Sequence, residues 1–231
     1  MRRAFLILLS AVSIAAANNI PELEKYESTL RSNADDIRAG SEYRQAVIKS
    51  KQYDRCIAFF EKLVAEHPKA ANAFLNYGFA YVDKIPDAGS ITQVILANTA
   101  LSHFTKSIEI QPTWIALYTR GNSYLYWPRI FDRAKFGVAD LEKAMSIQKS
   151  QGGVKPYYVR AYISLGDGYW KMDNIEKARA VWQEGSKMFP ADKRLTDRLA
   201  RQGDELAQYI DDVLDPNKRV DTNLHEIWES K

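Results

Sequence analysis

Cysteine is almost missing from this chain: Cys56 is the only one in 231 residues. No intramolecular disulfide, multi-thiol metal site or c-type haem attachment can be built from it. Cys56 is expected to be a buried, inert thiol. Histidine is scarce as well. His67, His103 and His225 stand far apart, and none has a metal-ligating neighbour at a workable spacing, so each is read as structural. No block of like charges marks a polyanion or membrane-surface patch. Strand signals are lacking, with no sustained period-two alternation and no Asn-Gly hairpin turn. Neither an HExxH zinc motif nor a GxSxG nucleophile elbow occurs. Gly166-Asp167-Gly168 lies inside a helical pattern and lacks the other glycines of a nucleotide fingerprint. Asp140 and Glu142 fall on different helix faces and are expected to be solvated. These absences predict no catalytic set, no cofactor and no metal.

The beginning of the chain differs from the rest. Arg2 and Arg3 precede an apolar run from Ala4 to Leu9 that continues through Val12 and Ile14, and Ala15-Ala16-Ala17 forms an A-x-A site. This pattern predicts a secretory signal peptide over residues 1–17, cleaved after Ala17, and a secreted, periplasmic protein. The run is short for a membrane span, which needs ~20 residues, so no membrane insertion is expected after cleavage. Without Arg2 and Arg3, the 32 Lys+Arg fall to 30 against 29 Asp+Glu. A nearly neutral chain lacks the basic excess of a nucleic-acid binder.

Beyond residue 20 the pattern is helical. Pro68, Pro112, Pro156 and Pro190 punctuate apolar-periodic segments, at places where proline starts or ends a helix. Self-similarity is present too. Tyr162, Leu165-Gly166 and Tyr169 are followed by Ala178, Trp182, Gly185 and Pro190. This segment resembles the tetratricopeptide repeat: an aromatic, Leu-Gly three residues on, Tyr, then Ala-x3-Phe, then Pro, with Trp182 in the phenylalanine place. A second copy reads Phe74, Tyr77-Gly78, Tyr81, Ala100, Phe104 and Pro112, with ten extra residues around Asp83 to Ile91. A third reads Leu117, Gly121, Tyr124, Gly137, Leu141 and Ala144, with about four extra residues near Trp127-Pro128-Arg129. A fourth, at the front, keeps Tyr53, Cys56, Phe60 and Pro68.

The resemblance implies an all-α chain: a helical-hairpin repeat solenoid, wound as a right-handed superhelix, with a C-terminal capping helix. The expected organisation is an N-terminal helical segment at 18–39 and repeats at about 40–70, 71–113, 114–150 and 156–190. A capping helix at 191–214 and a tail at 215–231 follow. Small residues at Gly78, Gly121, Gly166, Ala100, Gly137 and Ala178 are expected where paired helices approach. Leu195, Leu199, Leu206, Ile210 and Val213 carry the cap at helical spacing. Leu224, Ile227 and Trp228 in the tail are left to pack on the solenoid or on a partner.

In the family, the first helix of each pair lines a concave groove. The resemblance therefore places Asn72, Asn76, Phe79, Tyr118, Asn122, Tyr126, Arg160 and Trp170 in a partner-binding groove. Asn grips peptide backbone, and Tyr and Trp are enriched at binding hot spots. The carboxylate clamp of the chaperone-binding members is incomplete, since Ser41 and Ile115 stand where lysines are needed. The function implied is a scaffold that binds another protein. Two alternatives stay open: an accessory subunit docking through its insertion and tail, and a small-ligand site near Trp127, Arg129, Arg133 and Tyr157.

Overall fold

The structure is a computed structural model and describes residues 21–229. The expected signal peptide and its cleavage site at Ala17 lie outside the described residues. The elements are helices throughout: α1 (Pro21–Ser32), α2 (Ile37–Ser50), α3 (Tyr53–Glu66), α4 (Ala71–Lys84), α5 (Ser90–Ile110), α6 (Trp114–Leu125), α7 (Ala134–Gln151), α8 (Val159–Lys171), α9 (Ile175–Met188), α10 (Lys193–Ala200), α11 (Gly203–Val213) and α12 (Glu226–Glu229). No strand occurs among the described residues.

Local chemistry sets the boundaries. Asp36, Thr113, Asn174 and Asp192 each stand just before a helix, and the side chain of each accepts a backbone N–H of the first turn. Such N-caps satisfy donors that the helix itself leaves unpaired. Pro68, Pro112 and Pro190 fall in the connections.

The helices pack as antiparallel hairpins, α2 with α3, α4 with α5, α6 with α7 and α8 with α9, stacked into a solenoid. Missing side chains let paired helices touch. A Cβ added at Gly137 would lie 2.6 Å from the Gly121 carbonyl, so α6 and α7 meet backbone to backbone. The solenoid buries three linked apolar clusters, around Tyr43 and Phe60, around Leu75 and Phe104, and around Leu141, Tyr162 and Trp182. Cys56 sits in the first, and burial pushes its thiol well above its ordinary pKa. No helix among the described residues is long and apolar enough to cross a membrane.

Two sequence-based expectations are corrected, at the cap and at Asp140. The cap is two helices, not one. The chain extends at Arg201 and Gln202, and Gly203 takes φ +50°. Arg179 fills the break by donating to the Leu199 and Arg201 carbonyls. Leu199 and Leu206 keep a seven-residue spacing through the break, so the apolar pattern hides it. The ten extra residues of the second repeat pass through a 3-10 turn at Ile85–Asp87 and lengthen α5 to 21 residues. Asp140 is buried, not solvated: Arg120 holds both its oxygens at 2.7 and 2.8 Å.

Candidate binding groove

The inner face of the solenoid is occupied by the chain's own tail. Residues 219–224 form no regular secondary structure and run antiparallel to α2, passing Arg44 at Thr222, Ser41 at Leu224 and Arg38 at Trp228. Arg219 opens the crossing by donating to the Asp83 carbonyl, the Tyr53 hydroxyl and the Asp87 carboxylate. Thr222 and Leu224 are buried, and the residues between and beside them are exposed or half-buried. That alternation is what an extended segment gives when one edge faces the wall.

Arg44 is the centre of this contact and has no solvent exposure. Its Nε donates to Asn76 Oδ1 at 3.0 Å and its Nη1 to Asp83 Oδ2 at 2.9 Å. The tail supplies the remaining acceptors, the Thr222 hydroxyl at 3.1 Å and the Thr222 carbonyl at 2.9 Å. A buried guanidinium is costly unless its donors are used. Asp83 in turn accepts the Thr222 hydroxyl. Burial pushes the Asp83 carboxyl above its ordinary pKa although Arg44 and Thr222 pull the other way. The wall thus carries a donor and an acceptor aimed at a polypeptide lying across it.

Further along, Leu224 joins Leu75, Phe79, Phe104 and Ala116 in the middle apolar cluster, and Ser41 Oγ accepts the Leu224 N–H at 3.3 Å. Arg160 then grips Glu226 through two bonds of 2.9 Å. This pairing raises the Arg160 pKa and lowers that of Glu226.

The groove residues expected from the sequence divide into two sets. Phe79, Tyr118, Asn122, Tyr126 and Arg160 all border one space on the inner face. Phe79 lies beneath Arg44, 4.5 Å from ring to guanidinium. Tyr118 stacks on Trp114 at 5.1 Å, and Asn122 accepts the Ser164 hydroxyl at 2.8 Å. Burial lifts the Tyr126 hydroxyl to a pKa of about 12. Asn72, Asn76 and Trp170 do not border that space. Asn72 is turned to the α1–α2 connection, where it donates to Asp35. Asn76 is buried against α2, its amide carbon 2.6 Å from where a Cβ of Gly40 would stand. Trp170 is covered by the Arg129 guanidinium at 4.2 Å, which also donates to the Trp170 carbonyl. Sequence reasoning missed Arg44 and Thr222. Arg44 carried a usable signal: an arginine on the apolar stripe of a helix needs buried acceptors.

Among the described residues no three His, Cys, Asp or Glu side chains gather as a metal site. No family model matches the chain, and no curated protein matches it either. Solved structures match in shape. TTC0263, a thermophilic TPR protein from Thermus thermophilus, superposes with a TM-score of 0.56 at 19% identity, over 77% of this chain and 87% of that one. A tetratricopeptide repeat protein from Parabacteroides merdae gives 0.53 at 13% identity, over 90% of this chain and 72% of that one. MamA protein gives 0.50 at 17% identity, over 72% and 80%. At such identities the likeness speaks for the fold alone, and the chain has the fold of tetratricopeptide-repeat proteins.

Proposed function

We propose that this chain is a non-catalytic interaction scaffold that holds a segment of a partner protein on its inner face. Its place is outside the cytoplasm, in the periplasm, as the signal-peptide pattern at 1–17 suggests. One observation carries the reading: the face already holds a polypeptide segment, residues 219–228 of the same chain, by charged, backbone and apolar contacts. A partner segment takes the place of the tail. The tail is a weak incumbent, because only Thr222 and Leu224 of 219–228 are buried. Segments with few buried contacts open at the least cost.

The test is affinity capture from an envelope extract with residues 18–231 as bait, beside two full-length variants. Thr222→Val with Leu224→Ser weakens the tail and should increase the yield of the partner. Tyr118→Ala with Tyr126→Ala alters the wall and should reduce it. Equal capture by all three baits removes the groove from the proposal.

A second reading has an observation of its own. Ile91, Val94 and Ile95 of α5 are exposed, as are Ile130, Phe131 and Phe136 of the neighbouring connection and helix. Arg133 ties these two segments together, bonding Asn98 at 2.9 Å and covering Trp127 at 3.6 Å. Apolar side chains gathered at a surface mark contact with another molecule, as an accessory subunit needs. Loss of the captured partner with Ile91→Asp plus Ile95→Asp, and not with the wall variant, selects this reading.

A further inference from the structure

The tail does not fill the face it crosses. Between it and the inner wall lies a space of about 690 Å³, within the ~300–1,000 Å³ usual for small-molecule sites. A concave space of this size beneath the crossing tail has room for a ligand. Three properties of the lining define its chemistry.

First, the body of the space is apolar. Phe79, Leu101, Ile115, Trp127 and Leu214 all line it. Second, the lining has no spare positive charge. Every lysine and arginine that borders it is paired with a carboxylate, the innermost being Arg160 with Glu226 and Arg198 with Asp167. An anionic head therefore meets no uncompensated cation there. The polar groups of α6 and its C-cap that border the space, Tyr118, Thr119, Asn122, Ser123 and Tyr126, are neutral, and burial raises the Tyr126 hydroxyl further, to a pKa of about 12. Third, Val94, Phe131 and Val213 border the space and are also exposed, which gives it an apolar mouth.

We propose that the space beneath the tail is a binding site for one uncharged, elongated, lipid-like molecule. Its hydrocarbon body lies against Phe79, Leu101, Ile115 and Phe131, and its neutral polar end meets Asn122 and Tyr126. This site shares Asn122 and Tyr126 with the partner-binding face and differs from that reading in being formed with the tail in place.

The experiment titrates the full chain with N-phenyl-1-naphthylamine, an uncharged fluorophore, below micellar concentrations. Competitors are monooleoylglycerol and oleate, which share a chain and differ in charge. Saturable one-to-one binding is expected, displaced by monooleoylglycerol at a concentration at least tenfold lower than by oleate. Ala97→Trp and Ser123→Phe, two independent substitutions into the space, should each weaken binding tenfold or more. Ile91→Ser on the exposed surface should not. Monooleoylglycerol should also raise the Tm of the unmodified chain, since a ligand of the native state stabilises it; that readout needs no variant to fold. The proposal is overturned by absent or non-saturable binding, by unchanged affinity in both filling variants, or by oleate competing as well as the neutral lipid. None of these results bears on capture of a protein partner.

Discussion

Arg44 donates to both the hydroxyl and the carbonyl of Thr222, a residue 178 positions further along the chain. A side chain at the solenoid's first hairpin thereby reads the backbone of its last segment. Thr222→Val keeps the shape and removes the hydroxyl, leaving Asp83 Oδ1 without its donor and Arg44 Nη1 with one acceptor fewer. An unsatisfied buried polar group costs ~1–3 kcal/mol. Most of that loss should fall on the tail, where few contacts resist it. Amide exchange of residues 219–226 should accelerate tenfold or more while α6 and α8 stay protected. Unchanged exchange in the tail would show that the hydroxyl contributes nothing.

Asp167 and Arg198 form a second buried pair, with bonds of 2.6 and 2.7 Å, and both side chains are at most 2% exposed. The pair joins the last repeat to the cap. Burial draws the Arg198 pKa down, but Asp167 more than restores it, so the guanidinium is held above its ordinary value. Asp167→Ala strands that charge and should cost ~3–5 kcal/mol. Asp167→Leu with Arg198→Met should recover most of the loss, since a well-packed apolar pair is often as stable as the ionic one. Urea unfolding of the three proteins decides this. A double variant no better than the single one would mean that the charges themselves organise the cap.

His103 supplies a pH dependence. Its ring packs against Tyr77 at 3.9 Å, Tyr81 at 5.5 Å and Phe74 at 6.4 Å. Burial lowers its pKa from 6.5 to about 4. The native ring stays neutral where the unfolded chain already binds a proton, so stability is full above pH 6.5 and declines as the pH falls towards 4. Discounted for the partial exposure of the ring, the loss is ~1–2 kcal/mol. Asp83 works in the opposite sense, because its raised pKa removes stability as the pH rises above the ordinary carboxylate range. Comparing His103→Leu with the parent between pH 7 and 4 isolates the imidazole. The variant should show the flatter profile; parallel profiles would rule out the assignment.

Much of the solenoid was legible because repeat contacts are local and leave spaced residues behind. Gly121 with Gly137 and Gly166 with Trp182 meet within one hairpin, so their separation in sequence reports the contact directly. The crossing of the tail left no such trace. Thr222 is an unremarkable polar residue until Arg44 and Asp83 are beside it, and no period connects them. Asn76 does not border the inner space for a related reason: helical register put it on an inner stripe, but its amide lies against α2 beside Gly40. Trp170 followed the register as well, and Arg129 covers it. The break at Arg201 was invisible because the apolar spacing runs through it, although Gly203 marked the place.

Gly166 tests how closely the last hairpin depends on an absent side chain. A Cβ there would run into the indole of Trp182, a fully buried ring whose N–H donates to the Ile163 carbonyl at 3.3 Å. Gly166→Ala gains helix propensity of up to ~1 kcal/mol, but overpacking a filled core costs ~1–3 kcal/mol, so a net loss is expected. Trp182→Phe gives room, and the two substitutions share one contact, so they should not add. The double variant should be more stable than the sum of the single losses predicts, by ~0.5–3 kcal/mol in a double-mutant cycle. Gly89, with nothing within 4 Å of its would-be Cβ, is the control, and Gly89→Ala should change stability little. Additive losses at 166 and 182 would place the strain of the alanine elsewhere than against the indole.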